Sequence, residues 1–424
     1  MQLKRDLPER NIFCAEHVAT DPLPFHLDYA MELLPNTHFE WMETGAQALS
    51  EMLACIDAAR ESVRLEMYIF HTSITAEKFR VALIHAAQRK VRVRVMIDAF
   101  GSMSLPAHFW DTLRAAGGEV RRFNPLKLNR LGFRDHRKLL VCDDHIAFVG
   151  GFNVGTEYEG DGVNCGWCDL GVRLEGRLAH ALAHAFDELF SNAEFSHRPF
   201  YRFRRSRRSR TVRLPEGRLL LSGPGRNNPV KKSLRIDLKN AQQVQIICAY
   251  FLPTWRLRRM LTRLARHGAK VQIILPSKTD VPLSLMAARS FYNRLLAAGV
   301  EIYEYQPQIL HAKMMLIDDI VYVGSANLDA RSLHINYELL LRLPNTPLAA
   351  KGREIFNAKL QYCHRIEWKT WKKSRTIWER IKARFAYLIL ARLDVTLARY
   401  QWRWLPRRKQ THPSAPRHEI KPAP

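Results

Sequence analysis

The sequence is poor in acidic residues, in cysteine and in long apolar runs. Its 424 residues carry 66 Lys and Arg against 41 Asp and Glu, which gives a formal net charge of +25. The hydrophobic fraction of 47% nevertheless predicts a folded protein and excludes a wholly disordered basic chain. This excess of positive charge favours a polyanionic partner. Nucleic acid, an anionic lipid surface and a phosphorylated substrate all fit that description.

Cysteine is scarce and odd in number. Seven cysteines scattered over a long chain do not fit a disulfide framework, so they favour a reducing compartment. The one close pair, Cys165 and Cys168, has neither the strand–helix context of a redox motif nor the second ligand pair of a zinc site. We interpret both as ordinary thiols.

No apolar run is long enough to cross a bilayer. The longest, Phe385–Ala391, has seven residues, whereas a span needs roughly 18 or more. The first 25 residues contain charges and prolines where a signal peptide would have an apolar core. The sequence therefore predicts no membrane span, and attachment to a membrane surface stays open.

The same order of predicted elements occurs twice. A strand over 63–70 and a strand over 91–97 are each followed by a helical pattern, and the strands over 244–251 and 271–275 repeat this order. Strands that alternate with helices predict βαβ units. We therefore expect an α/β fold of two homologous halves, with mainly parallel sheets flanked by helices.

Composition divides the chain further. Residues 200–213 hold seven arginines, which is typical of a solvated loop, and a specific polyanion contact is the alternative. We expect an N-terminal extension over 1–40, a first half over 41–199, a linker over 200–230, a second half over 231–362, a basic tail over 363–409 and a disordered C-terminus over 410–424.

The basic tail combines positive charge with tryptophan. Residues 365–409 carry fourteen Lys and Arg against three acidic residues, and five of the nine tryptophans. Helical spacing places five apolar residues on one face: Trp371, Trp378, Ile381, Phe385 and Leu388. Such a helix suits a lipid headgroup boundary, and a helix docked on the protein core is the alternative.

Each predicted half ends in a hairpin that begins with the same motif. The two copies are His136-x-Lys138-x4-Asp143 and His311-x-Lys313-x4-Asp318, followed by Gly-Gly-x-Asn153 and Gly-Ser-x-Asn327. Residues two apart on a strand share a face, so each His and its Lys point into the same space. Each Asp follows its His by seven positions, which predicts a structural role on the other face or in the turn. A pairing with a basic group behind the strand is one such role.

This doubled motif resembles the phospholipase D superfamily, and the resemblance covers most of residues 45–345. It implies a pseudo-dimer of the two halves with one active site at their interface. The residues that it implies around one phosphodiester are His136, Lys138, Asn153, His311, Lys313 and Asn327. It also implies that Asp169 and Glu338 each hold a carboxylate against a histidine.

The chemistry of these residue types fits such a site. Two ammonium groups and two amides would offset the charge that gathers on a phosphodiester during attack. One imidazole can attack phosphorus while the other gives a proton to the leaving alkoxide. The resemblance favours His136 as nucleophile and His311 as acid and then base, and the reverse assignment stays open. The reaction passes through a phosphohistidine, and we expect no metal or other cofactor.

Within the superfamily the chain is most similar to bacterial cardiolipin synthases that lack N-terminal transmembrane helices. The similarity lies in the length, in the run 324–332 and in Glu338. It implies a phosphatidyl transfer that makes cardiolipin from phosphatidylglycerol and a second phospholipid. The expected partners are phospholipid substrates and an anionic membrane surface, with a peripheral location on the cytoplasmic side of the bacterial inner membrane.

Three other functions stay open at this point. A phospholipase D-type hydrolase would use water as acceptor, and a nucleic-acid phosphodiesterase would use the same two histidines on DNA or RNA. Against nucleic acid, the aromatic residues of the tail share one helical face instead of following a groove. A non-catalytic tether would need neither histidine. No oligomeric state follows from the sequence.

Overall fold

The computed structural model describes residues 37–125, 132–193, 209–225 and 227–390. Most of the predicted N-terminal extension, the arginine run up to residue 208, the end of the basic tail and the predicted disordered C-terminus lie outside the described residues. The described part of the chain contains two sheets, each with helices packed on it.

The first sheet has seven strands in the order β1-β7-β6-β5-β2-β3-β4. Two short 3-10 helices, Ala107–Trp110 and Thr156–Tyr158, lie in its connections. The elements are β1 (His38–Met42), α1 (Gly45–Ala58), β2 (Ser62–Met67), α2 (Ile74–Gln88), β3 (Arg92–Asp98), α3 (Asp111–Ala115), β4 (Glu119–Phe123), β5 (Leu139–Cys142), β6 (Ile146–Gly150), β7 (Gly171–Glu175) and α4 (Arg177–Phe190).

The second sheet has nine strands in the order β16-β12-β11-β10-β13-β14-β15-β9-β8. Its elements are β8 (Arg210–Leu214), β9 (Gly217–Ser222), α5 (Pro229–Asp237), β10 (Gln243–Cys248), α6 (Trp255–Arg266), β11 (Lys270–Pro276), α7 (Pro282–Arg289), α8 (Tyr292–Leu296), β12 (Glu301–Tyr305), β13 (Lys313–Ile317), β14 (Ile320–Gly324), α9 (Ala330–His334), β15 (Glu338–Pro344), α10 (Thr346–Leu360), β16 (Cys363–Arg365), α11 (Trp368–Ser374) and α12 (Ile377–Leu388).

The two predicted α/β halves are confirmed, but their sheets are mixed and not mainly parallel. Parallel pairing joins β2, β3 and β4, and in the same way β10, β11 and β12. The remaining pairs are antiparallel, because each motif strand turns back through a tight hairpin, as β5 does into β6 and β13 into β14. The βαβ pattern had predicted only the parallel part of each sheet.

Part of the segment predicted as a linker, 200–230, belongs to the second sheet. Its strands β8 and β9 form a hairpin, and β9 pairs with β15 as β1 pairs with β7. The apolar side chains Leu219, Leu220 and Leu221 are buried, which explains why this stretch is a strand despite the arginines that precede it. The second half therefore begins before residue 231.

Each half has its own hydrophobic core, and the halves meet along strands of the two motifs. One buried cluster contains Phe70, Phe79 and Trp110, and the other contains Phe251, Tyr292 and Tyr322. Strand β14 packs against β6 and β7. A small third cluster joins Phe133 of the first half to Ile335 of the second.

The motif aspartates fix the start of the central strand of each sheet. Asp143 lies in the β5–β6 turn at φ 50°, and its carboxylate accepts the backbone N–H groups of residues 60–62. Asp318 lies in the β13–β14 turn at φ 49° and accepts those of residues 242 and 243. Both aspartates therefore lie in turns, as expected. Among the described residues, their carboxylates accept hydrogen bonds from backbone amides, and not from the basic side chain that was one expected partner.

Up to residue 390, the basic tail forms two helices, so the prediction of one continuous face from Trp371 to Leu388 is wrong. Thr376 and Glu379 form a capping box that starts α12 afresh after α11. Trp371 packs against Tyr292, with ring centroids 5.0 Å apart, whereas Trp378 and Phe385 are each 63% exposed. In the described part of the chain no helix is long and apolar enough to cross a bilayer.

Candidate active site

The two motif histidines lie at corresponding edges of the two sheets. Because β5 runs antiparallel to β2, the start of β5 lies at the carboxyl end of β2, and β13 is placed in the same way against β10. His136 and Lys138 stand just before β5, while Lys313 is the first residue of β13. Polar side chains at the carboxyl ends of parallel strands are thereby brought to one edge of each half.

Backbone hydrogen bonds tie each motif to the opposite half. His136 N–H donates to the carbonyl of Tyr337 at 2.9 Å, and Tyr337 N–H donates to the carbonyl of Arg134 at 2.8 Å. On the other side, His311 N–H donates to the carbonyl of Cys168 at 2.8 Å. These backbone hydrogen bonds place the residue that follows Tyr337 beside His136, and the residue that follows Cys168 beside His311.

Those following residues are the two expected carboxylates. His136 Nδ1 lies 3.0 Å from Glu338 Oε2, and His311 Nδ1 lies 2.6 Å from Asp169 Oδ2. Both carboxylates are fully buried. Each histidine thus receives its carboxylate from the other half, and this reciprocal pairing engages Nδ1 of each ring and not Nε2.

The carboxylates are held in their charged form. Burial acts to raise the pKa of Asp169, but His311 and Lys313 outweigh it, so the pKa is lowered. Burial also acts to raise the pKa of Glu338, but His136 and Lys138 outweigh it, so the pKa of Glu338 is lowered as well. A charged carboxylate at Nδ1 fixes the tautomer of the ring and supports an imidazolium when one forms.

Each motif lysine lies close to the histidine of its own motif. Lys138 Nζ donates to the carbonyl of His136 at 2.7 Å, and Lys313 Nζ lies 3.2 Å from His311 Nε2. Burial and the charge of Lys313 lower the pKa of Lys138 to about 7. Because this repulsion acts between lysines of different halves, the two motifs contribute to one site.

Burial keeps the imidazoles neutral, and the charges of the lysines add to its effect. Burial and Lys313 lower the pKa of His311 to about 4, against the opposing effect of Asp169. Burial likewise lowers the pKa of His136, against the opposing effect of Glu338. A neutral imidazole with Nδ1 engaged presents a lone pair on Nε2, which is what a nucleophile or a general base requires.

The two motif asparagines differ in their partners. Asn153 Oδ1 accepts the N–H of Ile69 at 3.0 Å, and its Nδ2 donates to the Tyr158 hydroxyl at 2.7 Å. Asn327 Oδ1 is buried with no hydrogen-bond partner among the residues that the structure describes. Asn153 thus supports Tyr158, whose ring lies against His311, while the buried Asn327 Oδ1 keeps an unused acceptor.

Comparisons with known proteins identify the family of the chain. A family profile described as cardiolipin synthase, PLD-like domain, matches residues 52–163 and 234–360. Cardiolipin synthase 1 of Bacillus cereus is 31% identical over 362 residues, which is 82% of this chain and 71% of that protein. The major cardiolipin synthase ClsA of Bacillus subtilis is 32% identical over 356 residues, 81% of this chain and 73% of that protein.

The chain belongs to the cardiolipin synthase family of phospholipase D-like proteins. The resemblance drawn from the doubled motif is thereby confirmed.

Solved structures agree on the fold of this cardiolipin synthase family member. The crystal structure of phosphatidylserine synthase from Haemophilus influenzae Rd KW20 matches with a TM-score of 0.67 at 15% identity, and covers 88% of this chain and 99% of that one. Polyphosphate kinase from Porphyromonas gingivalis matches with a TM-score of 0.53 at 14% identity, and covers 86% and 54%. At these identities the likeness concerns the fold alone.

Sequence reasoning missed the aromatic walls of the site. The Tyr68 ring lies 4.9 Å from the His136 ring, and the Tyr158 and Trp167 rings each lie 5.4 Å from His311. Tyr68 and its counterpart Tyr250 are not among the predicted site residues, because an aromatic residue on a buried strand is more often part of the core. The signal for Trp167 was present, because it stands two positions before Asp169 and strand alternation places the two side chains on one face.

The motif asparagines follow a glycine pair in one half and a Gly-Ser pair in the other, and the difference has a physical reason. A Cβ on Gly151 would lie 2.1 Å from Asp169 Oδ1, so the first half has no room for a side chain there. At the equivalent position Ser325 Oγ donates to Glu338 Oε2 at 2.5 Å. The carboxylate of His136 therefore has an extra hydroxyl donor that the carboxylate of His311 lacks.

This difference predicts unequal effects of two small substitutions. Gly151→Ala should displace Asp169 from His311 and reduce kcat by about 10²-fold or more, because small misplacements of reacting groups are costly. Ser325→Ala removes one hydrogen bond to a buried carboxylate and should cost roughly tenfold. The measurement is kcat for cardiolipin formation, with thermal unfolding as a check on folding. Full activity of Gly151→Ala would contradict the account of Asp169.

The lowered pKa of Lys138 predicts how activity depends on pH. Lys138 is protonated below pH 7 and loses its charge as the pH rises through about 7, so kcat/KM should fall there. Asp98, whose pKa burial raises to about 7, titrates in the same range. Lys138→Arg keeps its charge at all these pH values and should remove the alkaline fall, although its maximum will be lower. An unchanged fall in Lys138→Arg would assign it to another group such as Asp98.

Proposed function

We propose that this protein is a phosphatidyl transferase that makes cardiolipin from phosphatidylglycerol and a second phospholipid through a phosphohistidine. The observation that carries the proposal is the reciprocal pairing of His136 with Glu338 and of His311 with Asp169 across the two halves. Family membership and the two buried lysines support it, since a phosphodiester is the substrate whose charge such a site would match.

In the first half-reaction, Nε2 of one neutral imidazole attacks the phosphorus of phosphatidylglycerol. The bond from phosphorus to the glycerol headgroup breaks, and the imidazolium of the other histidine gives its proton to the departing alkoxide. Binding of the anionic phosphodiester favours the protonated form of that second ring, since it adds negative charge to a site with two lysines. The products are free glycerol and a phosphatidyl group on the attacking histidine.

In the second half-reaction the roles of acid and base reverse. The now neutral second histidine takes the proton from a hydroxyl of the acceptor lipid, whose oxygen attacks phosphorus as the phosphorus–nitrogen bond breaks. Phosphatidylglycerol as acceptor gives cardiolipin, and the enzyme returns to its starting state. We assign attack to His136 and acid–base work to His311, as the family resemblance implies.

A hydrolase that gives phosphatidic acid is the alternative that uses the same residues. Transfer requires that water be kept from the phosphohistidine. The side chains of His136 and His311 are 11% and 6% exposed, and aromatic rings lie against both. This degree of burial favours transfer.

We further propose that the protein lies on an anionic membrane surface, on its cytoplasmic side. Helix α12 docks on the core through Ala383 and Ala386, yet it leaves an apolar stripe exposed on its outer face. We define this α12 stripe as Ile377, Trp378, Ile381, Phe385 and Leu388. Apolar side chains on a basic helix suit insertion at the headgroup boundary, and the net charge of +25 suits anionic lipid.

The decisive experiment offers purified protein phosphatidylglycerol vesicles and, separately, labelled single-stranded DNA. Wild type should release glycerol and form cardiolipin in equal amounts. His136→Ala and His311→Ala should each lose activity by about 10⁴-fold or more, since each removes a group that acts on the phosphorus or its leaving group. His145→Ala is the matched control, because His145 lies exposed in the turn of the same hairpin.

Each alternative has its own signature in this experiment. Phosphatidic acid as the sole lipid product would establish a hydrolase. Cleavage of DNA with inert lipid would establish a nucleic-acid phosphodiesterase. Vesicle binding without turnover in wild type would establish a tether, and any of the three results would overturn the proposed transfer.

A further inference from the structure

A second polar cleft lies under the tail helices, away from the motif residues. It has a volume of about 310 Å³ and is bounded by α6, by residues 290–295 and by α12. Three arginines line it, Arg258, Arg294 and Arg384, together with Ser290 and Asn293. A volume of this size is that of a small-ligand pocket.

The arginines of this cleft have no counter-ion. Among the residues that the structure describes, none of the three forms an ion pair with a carboxylate, and no Asp or Glu lines the cleft. Arg258 Nε is buried without a hydrogen-bond partner. Burial lowers the pKa of Arg258, and the charge of Arg294 lowers it further. Three uncompensated guanidinium groups around one cavity call for an anion with several oxygen acceptors.

Two aromatic rings hold the Arg258 guanidinium in position before any ligand binds. Its guanidinium carbon lies 4.2 Å from the centre of the Phe291 ring and 5.6 Å from that of Tyr387. The two rings also contact each other edge to face, with centroids 4.9 Å apart. An arginine stacked in this way loses little freedom when it binds an anion, and the ring faces that it covers are not free to stack on nucleic-acid bases.

The cleft opens beside the α12 stripe. On the helix, Arg384 stands between the buried Ala383 and half-buried Tyr387 on one side and the exposed residues Ile381 and Phe385 on the other. Trp255, one turn before Arg258 on α6, is 53% exposed. An anion in this cleft would therefore sit at the boundary between basic groups and exposed apolar side chains, as a phospholipid phosphate does in a bilayer.

We propose that the Arg258–Arg294–Arg384 cleft binds the phosphate of an anionic phospholipid headgroup, as a second lipid site separate from the histidine site. It shares no residue with the two motifs. Phosphate oxygens would accept from the three guanidinium groups, and the acyl chains would lie against the α12 stripe. The choice of a lipid phosphate rests on the proposed membrane function, whereas the anion chemistry rests on the cleft itself.

The test compares two variants of equal charge change in the full-length chain. Arg294→Glu/Arg384→Glu alters the cleft, and both side chains are exposed and form no hydrogen bond or ion pair with other described residues. Arg263→Glu/Arg266→Glu is the matched control, because both residues are exposed on α6 outside the cleft. Binding is measured by co-sedimentation with vesicles of phosphatidylglycerol in phosphatidylcholine, and with phosphatidylcholine vesicles alone.

The cleft variant should bind phosphatidylglycerol vesicles on the order of tenfold more weakly than wild type, while the control should stay within about threefold. Arg294→Lys/Arg384→Lys keeps the charge but loses the planar fork, and should fall between them. Equal weakening in cleft and control variants would reduce the effect to general surface charge and overturn the site, and so would no weakening in either.

A binding measurement with glycerol phosphate, a soluble ligand, distinguishes a lipid phosphate from a free phosphate as the ligand of the cleft. If the cleft variant loses binding of glycerol phosphate but keeps vesicle binding, the cleft serves a soluble phosphate and the lipid site is wrong. Selective loss of binding to single-stranded DNA would be equally fatal. Every measurement in this test is one of binding, so it can be repeated with the cleft and control variants made in an inactive His311→Ala protein. Any difference in binding between them then cannot come from catalysis. A failure to make cardiolipin would then contradict the proposed function and leave this site standing.

Discussion

Each motif histidine depends on a carboxylate that the other half supplies. Glu338 follows Tyr337, whose backbone pairs with the His136 segment, and Asp169 follows Cys168, whose backbone pairs with the His311 segment. These backbone contacts both join the halves and orient the rings. A half on its own would hold a histidine without its carboxylate, so the geometry of each ring depends on the interface between the halves.

The second constraint is electrostatic. Lys138 and Lys313 are both buried, each with its pKa lowered, and both lower the pKa of His311. Two buried ammonium groups near each other raise the free energy of the empty site, and an anion between them would relieve that repulsion. Together with burial, which is the larger cause, the lysine charges lower the pKa of both imidazoles. The motif aspartates do not share in this charge, because their hydrogen bonds go to backbone amides at the far end of the strands.

Sequence patterns predicted the parts of this protein that repeat. The doubled order of strands and helices predicted two α/β halves, and the doubled motif predicted which side chains would meet. Pairing direction was harder to predict, since a βαβ pattern is silent about strands joined by hairpins, and so β8 and β9 were taken for a linker. The tail was misjudged because helical spacing continues through Thr376, whereas the capping box there starts a new helix. Tyr68 and Trp167 were missed because an aromatic residue on a strand is most often part of a core.

The central claim is that His136 and His311 act on one phosphorus atom. Its most direct measurement is a crystal structure of the protein with vanadate, which adopts the five-coordinate geometry of phosphoryl transfer. The account predicts a single vanadate with Nε2 of His136 and Nε2 of His311 on opposite sides of the vanadium and both lysines on its equatorial oxygens. Two separate vanadate sites, or one that only a single histidine contacts, would contradict it.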